Sequence, residues 1–298
     1  MDFSYSEEQQ MLQDSVGKFI SQDYEWESRQ AIAKSGQGFS AEHWQLFAEL
    51  GWLTVPFKEE DGGFGGSAVD LIVMMEEFGK GLLVEPFLAN TVLAGAVLAE
   101  SASEEQKAQL LMPMMEGKLQ LAFAYAEPQS RYEAANVECT AEMNGDHVTI
   151  NGHKAVVLNG ESAEKLVVSV RTAGATTDRD GISLIVVDAN AEGVRRRSYA
   201  NVDGQRAADI WFENVSVPVA NIVGEIGGAI GAIEFAIDKA ALAVCAEAVG
   251  AMQVSLDKTV EYSKIRKQFK VTLSTFQALQ HRMANMFIEV QQAKSILL

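Results

Sequence analysis

Three Asn-Gly pairs follow one another in the middle of the chain, Asn144-Gly145, Asn151-Gly152 and Asn159-Gly160, while both ends read as helix. Both residues of such a pair tolerate positive φ, so Asn-Gly between alternating segments is the strongest short signal for a hairpin. The segments between and after them, "HVTI", "HKAVVL", "KLVVSV", "GISLIVV" and "DIWFENVSV", alternate or run apolar as strands do. An antiparallel β-domain is predicted from about Leu119 to Pro218. A chain that is helical, then β, then helical again is an α+β chain, and 298 residues suffice for two or three domains.

The flanks carry helix punctuation. Ser6 with Gln9 forms a capping box, followed by Met11, Leu12, Val16, Phe19 and Ile20 on one face. Ser40 opens a second helix with Trp44, Phe47 and Leu50 inward. Gly62, Gly63, Gly65 and Gly66 form a loop; their spacing is not that of a phosphate loop, and no Lys follows. Helices are predicted over "SAVDLIVMMEEFG", in the Leu82 region, and after the Ser103–Gln106 capping box. Beyond Gly231 a long helix rich in small residues runs to about Ser263. Ser274 with Gln277 is expected to cap the last helix, lined by Leu279, Met283, Met286, Phe287 and Val290. Two long amphipathic helices do not bury both their faces alone, so this bundle reads as incomplete, to be covered by further chain or by a partner.

The net charge of −17 argues against nucleic acid and anionic membranes as partners. Cys139 and Cys245 fit no metal or redox spacing and read as reduced, buried thiols of a cytoplasmic protein. The four histidines form no ligand cluster. The start, MDFSYSEEQQ, has no leader pattern. The longest apolar run, Leu82 to Ala99, is broken by Glu85, Pro86 and Asn90, so no membrane span is expected. Against this acidic background stands one basic knot, Lys264, Arg266, Lys267 and Lys270 around Phe269. Basic residues at a helix C-terminus complement the macrodipole, which alone would account for such a group.

Four segments together resemble the acyl-CoA dehydrogenase family. "YAEPQSRYE" is similar to its T-E-P-x-x-G-S-D segment, and "INGHKAVVLNG" to N-G-x-K-x-W-I-T-N-G. "FENVSVPVANIVGEIGGA" resembles the exit from the β-domain, F-x-x-V-x-V-P-x-x-x-x-L-G. "RKQFKVTLSTFQALQHRMANM" resembles R-x-Q-F-G…F-Q…L-A-D-M, the most specific of the four. The resemblance spans Met1 to Leu298 and implies an N-terminal helical domain (1–118), a middle antiparallel β-domain (119–223) and a C-terminal helical domain (224–298). Only the first two helices of that last domain fall within the chain.

The resemblance also implies chemistry. Family members remove an α-proton and a β-hydride from an acyl-CoA thioester, FAD takes the hydride, and an electron-transfer flavoprotein takes the electrons. The Arg of R-x-Q-F contacts the pyrophosphate of FAD held mainly by a neighbouring subunit. By motif position this is Arg266, with Gln268, Phe269, Phe276 and Gln277 as accompanying cofactor contacts. A guanidinium matches phosphate geometry and stays charged. Lys264, Lys267 and Lys270 are left as solvated charges.

Other positions depart from the pattern. The usual catalytic Glu lies beyond Leu298, and the alternative position on the long helix is Ala240, followed by Ala241. No catalytic base is therefore assigned. Glu234 and Asp238 lie on other faces of that helix, Asp238 being kept as a weak substrate contact, and Glu247 is a fallback two turns along, roughly 10 Å away. The flavin-ring positions are Ala126, Val156 and Leu158, none of which donates a side-chain bond, and the pyrophosphate Ser is Tyr132. Glu127-Pro128, Lys154 and Asn159-Gly160 persist and can serve the fold alone. This pattern resembles the small subunits of heteromeric acyl-CoA dehydrogenases, which pair with a homologous larger chain. Alternatives are a self-sufficient dehydrogenase whose catalytic C-terminal segment lies beyond Leu298, a non-enzymatic partner-stabilising module, and an acyl-CoA binder without redox chemistry; the partner is a homologous large subunit or a second copy of the chain, as a dimer or tetramer.

Overall fold

The computed structural model describes residues 4–298. Met1, Asp2 and Phe3, part of the start read above as leaderless, lie outside the described residues. Helices α1 (Glu7–Gln22), α2 (Trp26–Lys34), α3 (Ala41–Glu49) and α4 (Ala68–Gly81) come first. A π-helical stretch, Phe87–Ala94, then runs into α5 (Gly95–Ser101). Next come α6 (Glu104–Gln106), a second π stretch at Lys107–Leu111, and α7 (Met112–Met115). The capping boxes at Ser6 and Ser103 form as predicted, and Ser40 caps α3 by accepting from the His43 N–H. Trp44 and Phe47 are buried, but Leu50 and Met11 are largely exposed, because each lies at the rim of its apolar stripe.

The β region holds β1 (Leu121–Ala124), β2 (Thr140–Asn144), β3 (His147–Leu158), β4 (Lys165–Arg171), β5 (Ile182–Asp188), β6 (Val194–Ala200), β7 (Arg206–Pro218) and β8 (Ile222–Val223). The sheet order is β6-β7-β3-β2-β4-β5-β8, with β1 beside β4. Most pairs are antiparallel, as expected. The β1–β4 pair and the Thr140–Arg171 bridge of β2 to β4 are parallel, which corrects the purely antiparallel expectation. The three Asn-Gly pairs also divide. Asn144-Gly145 lies at the β2–β3 hairpin, and Asn159, at φ 59, closes β3. Asn151-Gly152 is no turn: β3 runs through it with a register shift between Ile150 and Gly152. Gly152 backs onto Cys139 so closely that a Cβ there would overlap the Cys139 backbone.

The C-terminal part holds α8 (Ile230–Ile265), a short hairpin of β9 (Lys267–Gln268) and β10 (Val271–Thr272), and α9 (Gln277–Leu297). Ser274 does not cap α9. Its hydroxyl pairs with Thr272, the N-cap residue is Phe276, and no side chain caps the helix. Of the predicted inner face of α9 only Val290 is buried; Phe287 is half-exposed.

By internal contacts the chain divides into two units. One joins the N-terminal stretch up to Arg29 with Ser67–Leu83 and Ala241–Leu298; the other joins Gln30–Gly66 with Val84–Ala240. In the first, α4 and α8 approach through glycines: a Cβ on Gly79 would overlap the Glu247 backbone, and one on Gly250 the Glu76 backbone. Glu76 is buried there and takes an ion pair from Lys294 at 2.7 Å. In the second, the four-glycine loop is held tightly, with Gly63, Gly65 and Gly66 donating to the carbonyls of Lys58, Phe57 and Val55. Among the described residues no helix is long and apolar enough to cross a membrane, and no His, Cys, Asp or Glu cluster has metal-site form.

Candidate functional site

Two regions carry the residues singled out in the sequence. The first is the β9–β10 hairpin. Its turn residues, Phe269 and Lys270, both have positive φ, 52° and 70°. That is the twist a two-residue hairpin needs, but at non-glycine positions it is strained. Lys270 stands where the resembling motif has Gly. The turn lifts Phe269 into solvent, 87% exposed, with its ring edge-on to Phe276 at 6.3 Å. Arg266 closes the base of the hairpin through its backbone: its carbonyl accepts from Leu273 at 2.9 Å. Its side chain is exposed and makes no hydrogen bond or ion pair among the described residues. Gln268 lies exposed on β9, and Gln277 starts α9. Arg266, Gln268, Phe269, Phe276 and Gln277 thus come together on one hairpin and the turn after it.

The second region is a cavity of about 180 Å³ in the other unit. Its walls are Ala126, residues 155–158 of β3, Phe123 and Tyr125 of the β1 segment, and Ala89 and Leu93 of the first π stretch. Ala126, Val156 and Leu158, three positions that the sequence sets apart, therefore face one space. Ala89 and Leu93 went unrecognised, because the π stretch reads in sequence as ordinary apolar helix. Tyr132 is not on the wall; it is fully exposed, next to Arg131 at φ 51°.

Val156 sits at the mouth, half-exposed, at φ 52° on a register shift between Lys154 and Val157. A β-branched residue there is an outlier that its surroundings must hold in place. Asp209 does so: it accepts from the Val156 N–H at 3.2 Å, from Arg197 at 2.6 Å and from the Tyr199 hydroxyl at 2.9 Å. Burial pushes the Asp209 carboxyl up, but these three donors outweigh it and hold the group below its ordinary value.

Behind the cavity lies a fully buried ion pair. Lys154 Nζ donates to Glu127 Oε1 at 2.6 Å, to Ser169 Oγ at 2.9 Å and to the Tyr125 carbonyl at 3.3 Å. All three ammonium protons are used. Glu127 also accepts from the Glu138 and Cys139 N–H groups and from Gln129. Burial raises the Glu127 carboxyl, yet Lys154 and the other donors bring it below the ordinary value. Burial pushes the neighbouring Cys139 thiol up to about 11. Cys139 is buried as predicted; Cys245 is exposed, so the expectation of two buried thiols holds for one.

On α8, Ala240 is buried and Asp238 is exposed, with no hydrogen bond or ion pair among the described residues. Glu234 is held by Arg179 through two bonds of 2.7 Å.

A flavin ring carries hydrogen-bonding atoms along its edge. The cavity offers them no side-chain donor except the Tyr125 hydroxyl. The Ala155 N–H is spent on the Ala126 carbonyl and the Val156 N–H on Asp209. The side chains of Ala126, Val156 and Leu158 do not supply the ring hydrogen bonds that the family motif implies.

Three family profiles cover the sequence: acyl-CoA dehydrogenase N-terminal domain over residues 6–118, middle domain over 122–215 and C-terminal domain over 228–298. The chain is 30% identical to probable acyl-CoA dehydrogenase YngJ of Bacillus subtilis, over 100% of this chain and 79% of that protein. It is 30% identical to the caffeyl-CoA reductase-Etf complex subunit CarC of Acetobacterium woodii, over 97% of this chain and 77% of that one. Among solved structures, glutaryl-coenzyme A dehydrogenase in its glutaryl-CoA complex superposes with a TM-score of 0.92 at 26% identity, over 100% of this chain and 76% of that chain. The Tcur3481-Tcur3483 steroid ACAD G363A variant gives 0.84 at 28% identity, over 98% and 76%.

Proposed function

Because the chain belongs to the acyl-CoA dehydrogenase family, a family of FAD-dependent oxidoreductases, we propose that it works as one subunit of a heteromeric acyl-CoA dehydrogenase and completes a neighbouring subunit's FAD site. The observation that carries the reading is the apolar cavity at Ala126, Val156 and Leu158, set against the exposed, unengaged Arg266 side chain. Residues that would serve a flavin of this chain's own are replaced, while the hairpin that would reach a neighbour's flavin is kept. In this reading Arg266 binds pyrophosphate oxygens, and Gln268, Phe269, Phe276 and Gln277 flank them. A phosphate would replace the water now facing Arg266 with charge-assisted bonds, the stronger kind of hydrogen bond.

In this reading α8 does not supply the catalytic base, since Ala240 offers no proton acceptor and Glu234 is engaged by Arg179. Asp238 is left as a minor contact to substrate. The substrate is an acyl-CoA thioester and the electron acceptor an electron-transfer flavoprotein, a partner class consistent with the similarity to an Etf-complex subunit. Turnover tests this. The purified chain alone should not reduce an artificial electron acceptor with any of a panel of acyl-CoAs. Co-purified with a homologous larger chain, it should. Dehydrogenation by the chain alone would defeat the reading.

A further inference from the structure

We propose that the hollow between the end of α1, the end of α4 and the middle of α8 is a binding site for a small apolar anion, a hydrocarbon with the bulk of about two rings and one carboxylate. The hollow lies wholly within the first unit, and none of its residues belongs to the hairpin or to the Val156 cavity.

Size, lining and charge point the same way. The volume is about 370 Å³, within the range of roughly 300–1,000 Å³ usual for small-molecule sites. A roughly 150 Å³ apolar cavity already takes up benzene. Ala251, Val254, Ser255 and Lys258 line one side, and their i, i+3, i+4, i+7 spacing puts them on one face of α8. Ile20, Tyr24, Trp26 and Leu82 supply the apolar walls. No Asp or Glu lines the hollow, although the chain carries a net charge of −17, and two lysines do, Lys80 and Lys258. Lys80 is engaged by Glu77 at 2.6 Å. Lys258 is exposed and makes no hydrogen bond or ion pair among the described residues. An anion entering here meets one uncompensated ammonium beside apolar walls, whereas a cation meets only repulsion.

The rim is held in place by a buried charge. Leu82, 43% exposed, has φ 52° at the end of α4, a left-handed position that favours glycine. Arg29 is buried, donates to the Leu82 carbonyl, and sets its guanidinium 5.4 Å from the centroid of the Trp26 ring. One buried cation thus fixes both the strained leucine and the exposed tryptophan of the rim. Backbone strain of this kind clusters at ligand sites.

The test is calorimetric titration of the purified chain with 2-naphthoate, and with 2-naphthamide, which has nearly the same shape and no charge. Saturable 1:1 binding of naphthoate is expected, about fivefold tighter than the amide at low salt, which is the scale of an ion pair to an exposed lysine. Added salt should shrink that difference. Lys258→Gln, at an exposed position, should keep the melting temperature and weaken naphthoate to the level of the amide. Ala251→Leu narrows the hollow and should weaken both ligands. If it does not fold, Trp26→Ala, which removes an exposed wall, decides the location in its place. No saturable binding of naphthoate up to its solubility, equal binding of the two ligands by the parent, or undiminished naphthoate binding by Lys258→Gln or by the wall variant overturns the inference. The proposed function stands in each of those cases, since it rests on the hairpin and the Val156 cavity.

Discussion

Replacing Lys154 by methionine is expected to cost the chain about 3–5 kcal/mol of stability, the range for removing one partner of a buried ion pair. Lys154 has no exposed surface and Glu127 almost none, so the variant leaves a carboxylate buried without its counter-charge. The Glu138 and Cys139 N–H groups would still donate, but they cannot replace a full positive charge. The penalty has a pH signature. In the parent, the Glu127 carboxyl lies below its ordinary value, so its contribution is present above the unfolded-state pKa and is lost as pH falls through the lower folded value. In Lys154→Met, burial dominates and the carboxyl moves up. The variant is then most destabilised near neutral pH and recovers part of the loss as acid protonates Glu127. The double variant Lys154→Met/Glu127→Leu should recover much of the stability, since buried pairs are often replaceable by apolar residues. Urea unfolding of the three proteins at two pH values checks this. A loss under about 1 kcal/mol for Lys154→Met would mean that water reaches the pair.

The second large effect belongs to Arg266. In the complex with a homologous subunit, Arg266→Ala should remove a charge-assisted contact worth about 1.5–3 kcal/mol, so flavin affinity falls roughly 10- to 100-fold. Turnover falls with flavin content, and excess FAD restores most of it. Arg266→Lys should recover only part, because an ammonium lacks the planar fork. The exposed position of Arg266 on the hairpin predicts little change in the stability of the chain alone. That separates a cofactor role from a structural one. Unchanged flavin affinity in Arg266→Ala would assign the residue to the macrodipole of α8 instead.

Much of the fold could be read locally. Ser6, Ser40 and Ser103 announce their helices because a cap is decided within one turn. The long α8 followed from its run of helix formers and its lack of strand signals. What could not be read depends on distant contacts. Asn151-Gly152 looks like a turn, but its glycine is there to let β3 pass Cys139. Gln277 looks like part of a capping box, but the preceding hairpin sets where α9 begins. The parallel pairing of β1 with β4 joins segments far apart in sequence.

The site divides in the same way. The residue types at Ala126, Val156 and Leu158 gave away the loss of donors. They did not show that Asp209 takes the Val156 N–H, nor that Ala89 and Leu93 close the space. Lys154 and Glu127 passed for fold residues, and nothing local revealed that they meet. The hairpin residues could be picked out as a group only through the resemblance to R-x-Q-F…F-Q; spacing alone left them as helix-end charges.

The central claim, that this chain serves a neighbour's flavin and holds none of its own, is most directly tested by visible absorption. Flavin would be counted per chain, on the purified chain alone and on the chain co-expressed with a homologous larger subunit. The account predicts no flavin band, near about 450 nm, from the chain alone, and one flavin per pair of chains in the complex. A stoichiometric band from the chain alone would contradict it and return the cavity at Val156 to the flavin.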